Sequence, residues 1–227
     1  MVETQTGGSR FTVNRTAPVG LFITFEGPDG SGKTTQIRLL AEHLEQQAHQ
    51  ILHVREPGGT AIGEKIRHIL HDVDNTEMDA HTEVLLYSAS RAQLVAQVLK
   101  PALKAGKTVL SDRYADSTYA YQGHGRGLNL ETIRIITEFA TRSLKPDLTI
   151  YLDLPVSEGL IRKETASRAG EGEWNRMDQL KIDFHERVRQ SYLAMAQAEP
   201  ARWLVIDARQ SIEAIQTAIR TAVAARL

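Results

Sequence analysis

The chain has 227 residues, with 27 Lys+Arg against 28 Asp+Glu, a formal net charge of −1 and no cysteine. The missing cysteine excludes disulfides, Cys-ligated zinc, iron–sulfur clusters and a thiol nucleophile. The charge balance argues against a general nucleic-acid or membrane-surface binder, and no apolar run approaches the roughly 20 residues of a bilayer span, so a soluble, cytoplasmic globular enzyme is expected.

In chain order, residues 1–20 read as a polar tail without the apolar core of a secretory signal. LFITFE (21–26) is a compact apolar run ending at Gly27, the pattern of a buried strand. A helix is predicted from Lys33 to Gln47, with Ile37, Leu40 and Leu44 on one face. ILHVRE (51–56) is a second strand, stopped by Pro57, Gly58 and Gly59. Helical spacing covers about 61–70 and 81–99, and TVLSD (108–112) and LTIYLDL (148–154) are strands. Further helices are predicted over 130–143, 156–169 and 179–198, with a fifth strand at WLVID (203–207) and a last helix capped by Ser211. Short apolar strands alternating with helices imply an α/β fold: a doubly wound five-stranded parallel sheet flanked by helices, as one domain over 21–227.

GPDGSGKT, Gly27 to Thr34, satisfies the phosphate-loop spacing. Its glycines allow the backbone to wrap an anion and turn N–H groups inward. Lys33 reaches the β/γ-phosphates, the Thr34 hydroxyl can ligate Mg²⁺, and the helix that follows aims its positive dipole end at the same place. Asp29 sits among anion-binding amides, where a carboxylate would repel phosphate. It serves either an Asx-type turn contact or the positioning of a substrate hydroxyl near the transferred phosphate.

Other candidates fall at strand carboxyl ends, where open α/β sheets bind ligands. REPGG (55–59) ends the second strand and DRY (112–114) the third. Asp112 is placed to hold Mg²⁺ or its water, and Arg113 to bridge donor and acceptor phosphates. Arg67 lies on a helix, and Tyr87 and Arg91 share a helical face, so one ring can stack a base while the arginine meets a phosphate. Thr118, Tyr121 and Gln122 share another face, enough to read a base edge. Residues 162–177 are polar and carry Arg162, Lys163, Arg168 and Arg176. They read either as a solvated helix end and loop or as a mobile lid that brings an arginine to the transferring phosphoryl group and excludes water.

From about residue 21 onward the chain resembles the bacterial thymidylate kinases. The resemblance is carried by FEGPDGSGKTT (25–35), REPGGT (55–60), EVLLYSASR (83–91), DRYADSTYAYQG (112–123), PDLTIYLDL (146–154) and NRMDQLKIDFHERV (175–188). It implies a P-loop kinase fold with a mobile lid, and the reaction of ATP and dTMP to ADP and dTDP with Mg²⁺. It implies that Gly27, Pro28, Asp29, Gly30, Ser31, Gly32, Lys33, Thr34 and Thr35 hold ATP together with Arg162 and Arg168, and that Thr34 and Asp112 hold the metal. On the acceptor side, Asp29 matches the carboxylate facing the sugar 3′-hydroxyl. Arg67, Arg91 and Arg113 match arginines around the acceptor phosphate, and Tyr87 the aromatic that stacks on thymine. Thr118 and Gln122 match positions that hydrogen-bond the base. Tyr121 matches a tyrosine beneath C2′ that disfavours a ribose hydroxyl. Pro57 matches a small wall near the base that would accommodate the thymine methyl, and Glu56 beside it is counted among the substrate-binding residues.

In the family it resembles, a catalytic basic residue stands either in the phosphate loop or in the lid; Pro28, Asp29, Gly30 and Ser31 are all non-basic here, so the resemblance implies the lid version. Arg168 is the first choice, with Arg162 and Arg176 as alternatives, and Asp29, Lys33 and Arg113 complete the catalytic set. The resemblance also implies a homodimer, through apolar helix faces such as 81–99. One rival is a kinase for another nucleoside monophosphate. A GTPase-like switch is the other, but it usually carries an Asn-Lys-x-Asp segment, and no lysine here follows an asparagine.

Overall fold

A computed structural model describes residues 20–170 and 174–227. The expected tail, apart from Gly20, lies outside the described residues, as do 171–173 of the expected lid. The elements run β1 (Phe22–Glu26), α1 (Lys33–Gln46), β2 (Ile51–Arg55), α2 (Ala61–His71), α3 (Ala80–Leu94) and α4 (Lys100–Lys104). They continue with β3 (Thr108–Asp112), α5 (Ala115–Thr118), α6 (Leu130–Thr141), β4 (Leu148–Asp153), α7 (Val156–Arg168), α8 (Ile182–Ala198), β5 (Trp203–Asp207) and α9 (Ile212–Ala224).

All five strands pair in parallel in the order β2-β3-β1-β4-β5. In the three central strands, β3, β1 and β4, side chains alternate between two covered faces, whereas the edge strands β2 and β5 leave His53, Arg55 and Val205 exposed. On β1, Ile23 and Phe25 join Ile37, Leu40, Leu44, Ile215 and Ile219 beneath α1 and α9. Phe22 turns the other way, into Leu94, Val95, Leu99 and Val109. There it meets the Tyr114 ring edge-on at 4.9 Å. The chain runs from β1 outward to β2, inserts β3 between them, and then crosses to β4 on the far side of β1. The strand order therefore reverses at β1, and a crevice opens at the carboxyl ends there.

Helix boundaries differ from expectation where local chemistry intervenes. The segment predicted as one helix over 81–99 is helical to Leu94, widens into a π-type turn over Val95–Leu99, and continues as α4. Pro101 lacks an N–H, and its ring would collide with the carbonyl four residues back, so the ladder opens just before it. The polar stretch after β3 does the same: α5 passes into a π-type turn over Tyr119–Gly125, closed by Arg126 N donating to the Tyr121 carbonyl at 2.9 Å. The helix predicted over 179–198 starts at Ile182, after a 3₁₀ turn at Arg176–Gln179 held by a capping box between Asn175 and Asp178.

Candidate active site

The loop between β1 and α1 takes backbone conformations closed to most residues. Gly27, Gly30 and Gly32 have φ of 137°, 80° and 91°. A Cβ on Gly27 would stand 2.5 Å from the Leu152 carbonyl oxygen, so glycine lets the loop press against β4. Gly32 is the left-handed N-cap of α1 and supplies no side-chain cap, which leaves the first amides of the helix for an anion. Lys33 curls back over the loop and donates to the carbonyls of Gly27 (3.1 Å) and Pro28 (3.0 Å). Burial first, and Arg113 next, lower the pKa of its ammonium group. Thr34 is exposed beside it, while the Ser31 hydroxyl is buried with no hydrogen-bond partner among the described residues.

The Asp29 side chain is not spent on a turn. One oxygen accepts from Arg113 Nη2 at 2.8 Å and faces Lys33 Nζ at 3.4 Å, and the other accepts from Lys163 on α7. Burial alone would raise the Asp29 carboxyl; Arg113, Lys33 and Lys163 outweigh it and hold the group well below the usual carboxylate range. Lys163 also reaches Asp178 at 2.7 Å, tying the 3₁₀ turn to the loop. Neither Lys163 nor Asp178 stands out in the sequence. A signal was nevertheless present: Gly159 and Lys163 lie four apart on α7, and Gly159 is small enough for the loop to approach, since a Cβ there would meet the Asp29 carbonyl oxygen at 3.3 Å.

Arg113 follows β3 with φ of 70°, a left-handed conformation costly for a side chain of its size. Its guanidinium lies over the Tyr121 ring at 5.2 Å, and its Nη1 is buried without a hydrogen-bond partner among the described residues, 3.9 Å from Glu26. Glu26, at the end of β1, is fully buried and accepts from Tyr114 N (2.9 Å), Ser117 Oγ (2.7 Å) and Tyr192 OH (2.7 Å). Burial, opposed by Arg113, pushes its carboxyl up to about 7. Burial also pushes Tyr121 up to about 12. Asp112 sits at the end of β3, where it and Thr34 border the same cleft.

That cleft has a volume of about 810 Å³, within the range of small-molecule sites. It brings together all the expected acceptor-side residues: Asp29, Glu56, Pro57, Arg67, Tyr87, Arg91, Arg113, Thr118, Tyr121 and Gln122. Arg67 Nη1 donates to the Pro57 carbonyl at 3.2 Å. Arg91 is 1% exposed and uses all three nitrogens: Nε donates to Glu56 (2.7 Å), Nη1 to Thr118 Oγ1 (2.6 Å) and Nη2 to the Tyr114 carbonyl (3.1 Å).

The three lid arginines separate. Arg162 borders the cleft, 3.8 Å from Glu158. Arg168 lies on the last turn of α7, 78% exposed and paired with Glu164 at 2.6 Å, outside the cleft lining. Arg176 is buried on Glu83 (2.6 Å) and the Leu70 carbonyl (3.2 Å). Among the described residues no cluster of three or more His, Asp or Glu could hold a metal. A divalent cation at Thr34 and Asp112 would therefore take most of its ligands from phosphate oxygens and water, as Mg²⁺ commonly does, and an open hydroxyl beside one strand-end carboxylate fits that ion.

Comparison with known proteins agrees with this geometry. The thymidylate kinase family model matches residues 25–219. A thymidylate kinase of Roseiflexus sp. (strain RS-1) is 52% identical over 204 residues, covering 87% of this chain and 90% of that one. Another, from Geotalea uraniireducens (strain Rf4), is 49% identical over 210 residues, covering 92% and 99%. The crystal structure of thymidylate kinase from Ehrlichia chaffeensis superposes with a TM-score of 0.72 at 32% identity, covering 91% of this chain and 99% of that one.

Proposed function

The chain belongs to the thymidylate kinase family, and from that premise we propose how its cleft performs the reaction. The enzyme phosphorylates dTMP to dTDP on a P-loop kinase fold. ATP is the donor in our reading, with Mg²⁺ held by Thr34 and Asp112. When bound, the ion neutralises charge on the β- and γ-phosphates. The observation that carries the reading is the clasp around Asp29: Lys33 at the start of α1, Arg113 just after β3 and Lys163 from α7 meet one carboxylate at the junction of the loop and the acceptor pocket.

A phosphate oxygen of dTMP forms a bond to Pγ as the Pγ–O bond to the β-phosphate breaks, and ADP leaves. A phosphate monoester is largely dianionic near neutrality, with its second pKa at about 6, so its oxygen needs no general base. Asp29, kept ionised by its three cations, serves instead as an acceptor for the sugar 3′-hydroxyl. Arg113, with Nη1 unspent, meets the acceptor and transferring phosphates, and Lys33 follows the charge that develops on the β/γ bridge. Tyr121 is held under the sugar by Arg113 and by the rings of Phe184 and Tyr192, at 6.1 and 6.4 Å between centroids. Tyr87 stacks on the base, and Thr118 and Gln122 read its edge. Arg162 borders the donor side as it stands, whereas Arg168 must leave Glu164 and swing in with the lid to reach a phosphate.

The fold over 21–227 is proposed as one domain. Its second copy is proposed to cover the apolar residues left open on α3 and α6: Leu85, Ile135 and Phe139, the last 85% exposed. Sedimentation tests that pairing. No helix among the described residues is long and apolar enough to cross a membrane, and we place the enzyme in the cytoplasm. A coupled assay of ADP formation with dTMP, dUMP, UMP and dCMP tests the substrate reading. Turnover without an acceptor, or equal turnover of UMP and dTMP, overturns it.

A further inference from the structure

Behind the base pocket lies a buried ionic knot with no part in phosphate chemistry. Glu83 on α3 is 0% exposed and accepts from three side chains. Arg126 Nη2 donates to it at 2.7 Å, Arg176 Nη2 at 2.6 Å, and Gln122 Nε2 at 2.9 Å. Arg176 is itself anchored on the Leu70 carbonyl, and Arg126 lies over the Phe184 ring at 5.2 Å, so neither cation is free to leave. Burial works to raise the Glu83 carboxyl, but Arg126 and Gln122, then Arg176, hold it below its ordinary value, so it is ionised throughout the working range. An ionised carboxylate only accepts hydrogen bonds.

That fixes the sense of Gln122. A free glutamine amide can turn either its oxygen or its nitrogen toward a ligand, and the two ends recognise opposite partners. One N–H of the amide is held on Glu83, which as a carboxylate can only accept, so the sense of the amide is fixed and its oxygen is the acceptor Gln122 offers to the cleft, which it lines while only 2% exposed. One helical turn away, Thr118 Oγ1 also borders the cleft and accepts from Arg91 at 2.6 Å, which leaves its O–H as a donor available to a ligand. The wall is thus a donor beside an acceptor. Thymine offers N3–H flanked on both sides by carbonyl oxygens and matches it. Cytosine offers an N3 lone pair and leaves the Gln122 oxygen facing another acceptor.

We propose that Glu83 is a positioning residue for base selection: by anchoring the Gln122 nitrogen it presents the Gln122 oxygen to N3–H, admitting thymine and uracil and rejecting cytosine. The assignment rests on the dTMP reading of the cleft. The two are separable, because wild-type enzyme that does not turn over dTMP refutes that reading whatever Glu83 does.

The test measures kcat/KM for dTMP, dUMP and dCMP in wild type, Glu83→Gln, Gln122→Ala and the double variant. In Glu83→Gln the new carboxamide can bond either end of Gln122, so the dTMP/dCMP ratio falls by about tenfold. The dTMP/dUMP ratio stays within about twofold, because both bases carry N3–H. In the Gln122→Ala background, adding Glu83→Gln changes the dTMP/dCMP ratio no further. An unchanged dTMP/dCMP ratio in Glu83→Gln, or a further fall in the double variant, overturns the proposal. If Glu83→Gln does not fold, the Gln122 side chain of labelled wild type is followed by NMR during dTMP addition. A shift of its carboxamide carbon with a stationary amide nitrogen supports the proposal, and the reverse pattern overturns it.

Discussion

Glu26→Gln is the sharpest test of how the site's electrostatics bear on stability. In the folded protein the Glu26 carboxyl titrates at about 7 in place of the ordinary 4.5, chiefly because burial penalises its charge. Below pH 4.5 the group is protonated folded or unfolded and carries no penalty. Between 4.5 and 7 the unfolded chain gives up its proton while the folded one keeps it. Folding stability tied to Glu26 is therefore full below about pH 4.5 and is lost as pH rises through 7. The loss comes to about 3 kcal/mol, at 1.36 kcal/mol for each unit of difference. The Glu26→Gln side chain can keep its carbonyl on Tyr114 N and turn its amide toward Ser117 and Tyr192, whose hydroxyls can rotate to accept. Urea unfolding of both proteins from pH 4.5 to 8 reads the difference directly. The variant should gain about 3 kcal/mol on wild type across that range. A stability difference that stays flat with pH would refute the reasoning, because it would mean that burial does not hold the proton on Glu26.

Lys163→Met removes one cation from Asp29 and the facing cation of Asp178. Asp29 keeps Lys33 and Arg113 and is 38% exposed, so the loss should be modest, about 2 kcal/mol or a fall of roughly 4–8 °C in Tm, with kcat lowered more than the KM for dTMP. Thermal melts and the coupled assay check both, and an unchanged kcat removes Lys163 from the site. Tyr121→Ala should raise the activity on UMP relative to dUMP by about tenfold, and a constant ratio removes Tyr121 as the sugar gate. Arg162→Ala and Arg168→Ala, assayed side by side, identify the lid cation: the one whose loss lowers kcat by about 10³ or more with little change in the KM for dTMP supplies charge to the transferring phosphoryl group. If Arg168 is that residue, its pairing with Glu164 belongs to an open lid.

Features that depend on neighbours along the chain were legible in the sequence. The strand, glycine loop and helix of residues 22–46 follow from local periodicity and from backbone angles only glycine takes easily, so the loop and Lys33 could be placed without any long-range information. The five strands were also readable as short, largely apolar runs, the central three because both their faces are covered, and the π-type turn before Pro101 is the kind of local detail a helical period passes over. Partners across the fold were not legible. Lys163 and Arg176 look alike in the sequence, two cations in one polar stretch. The fold sends the first to Asp29, 134 residues away, and the second to Glu83, 93 residues away. Arg168, the most natural reading of the lid, turns to its own helix because Glu164 is one turn below it. Charge count and spacing establish that cations are available. Which cation faces the substrate and which neutralises a buried acid is set by the path of the chain, since a Coulomb partner is chosen by distance in space, and residue number carries that distance only within a few turns of helix.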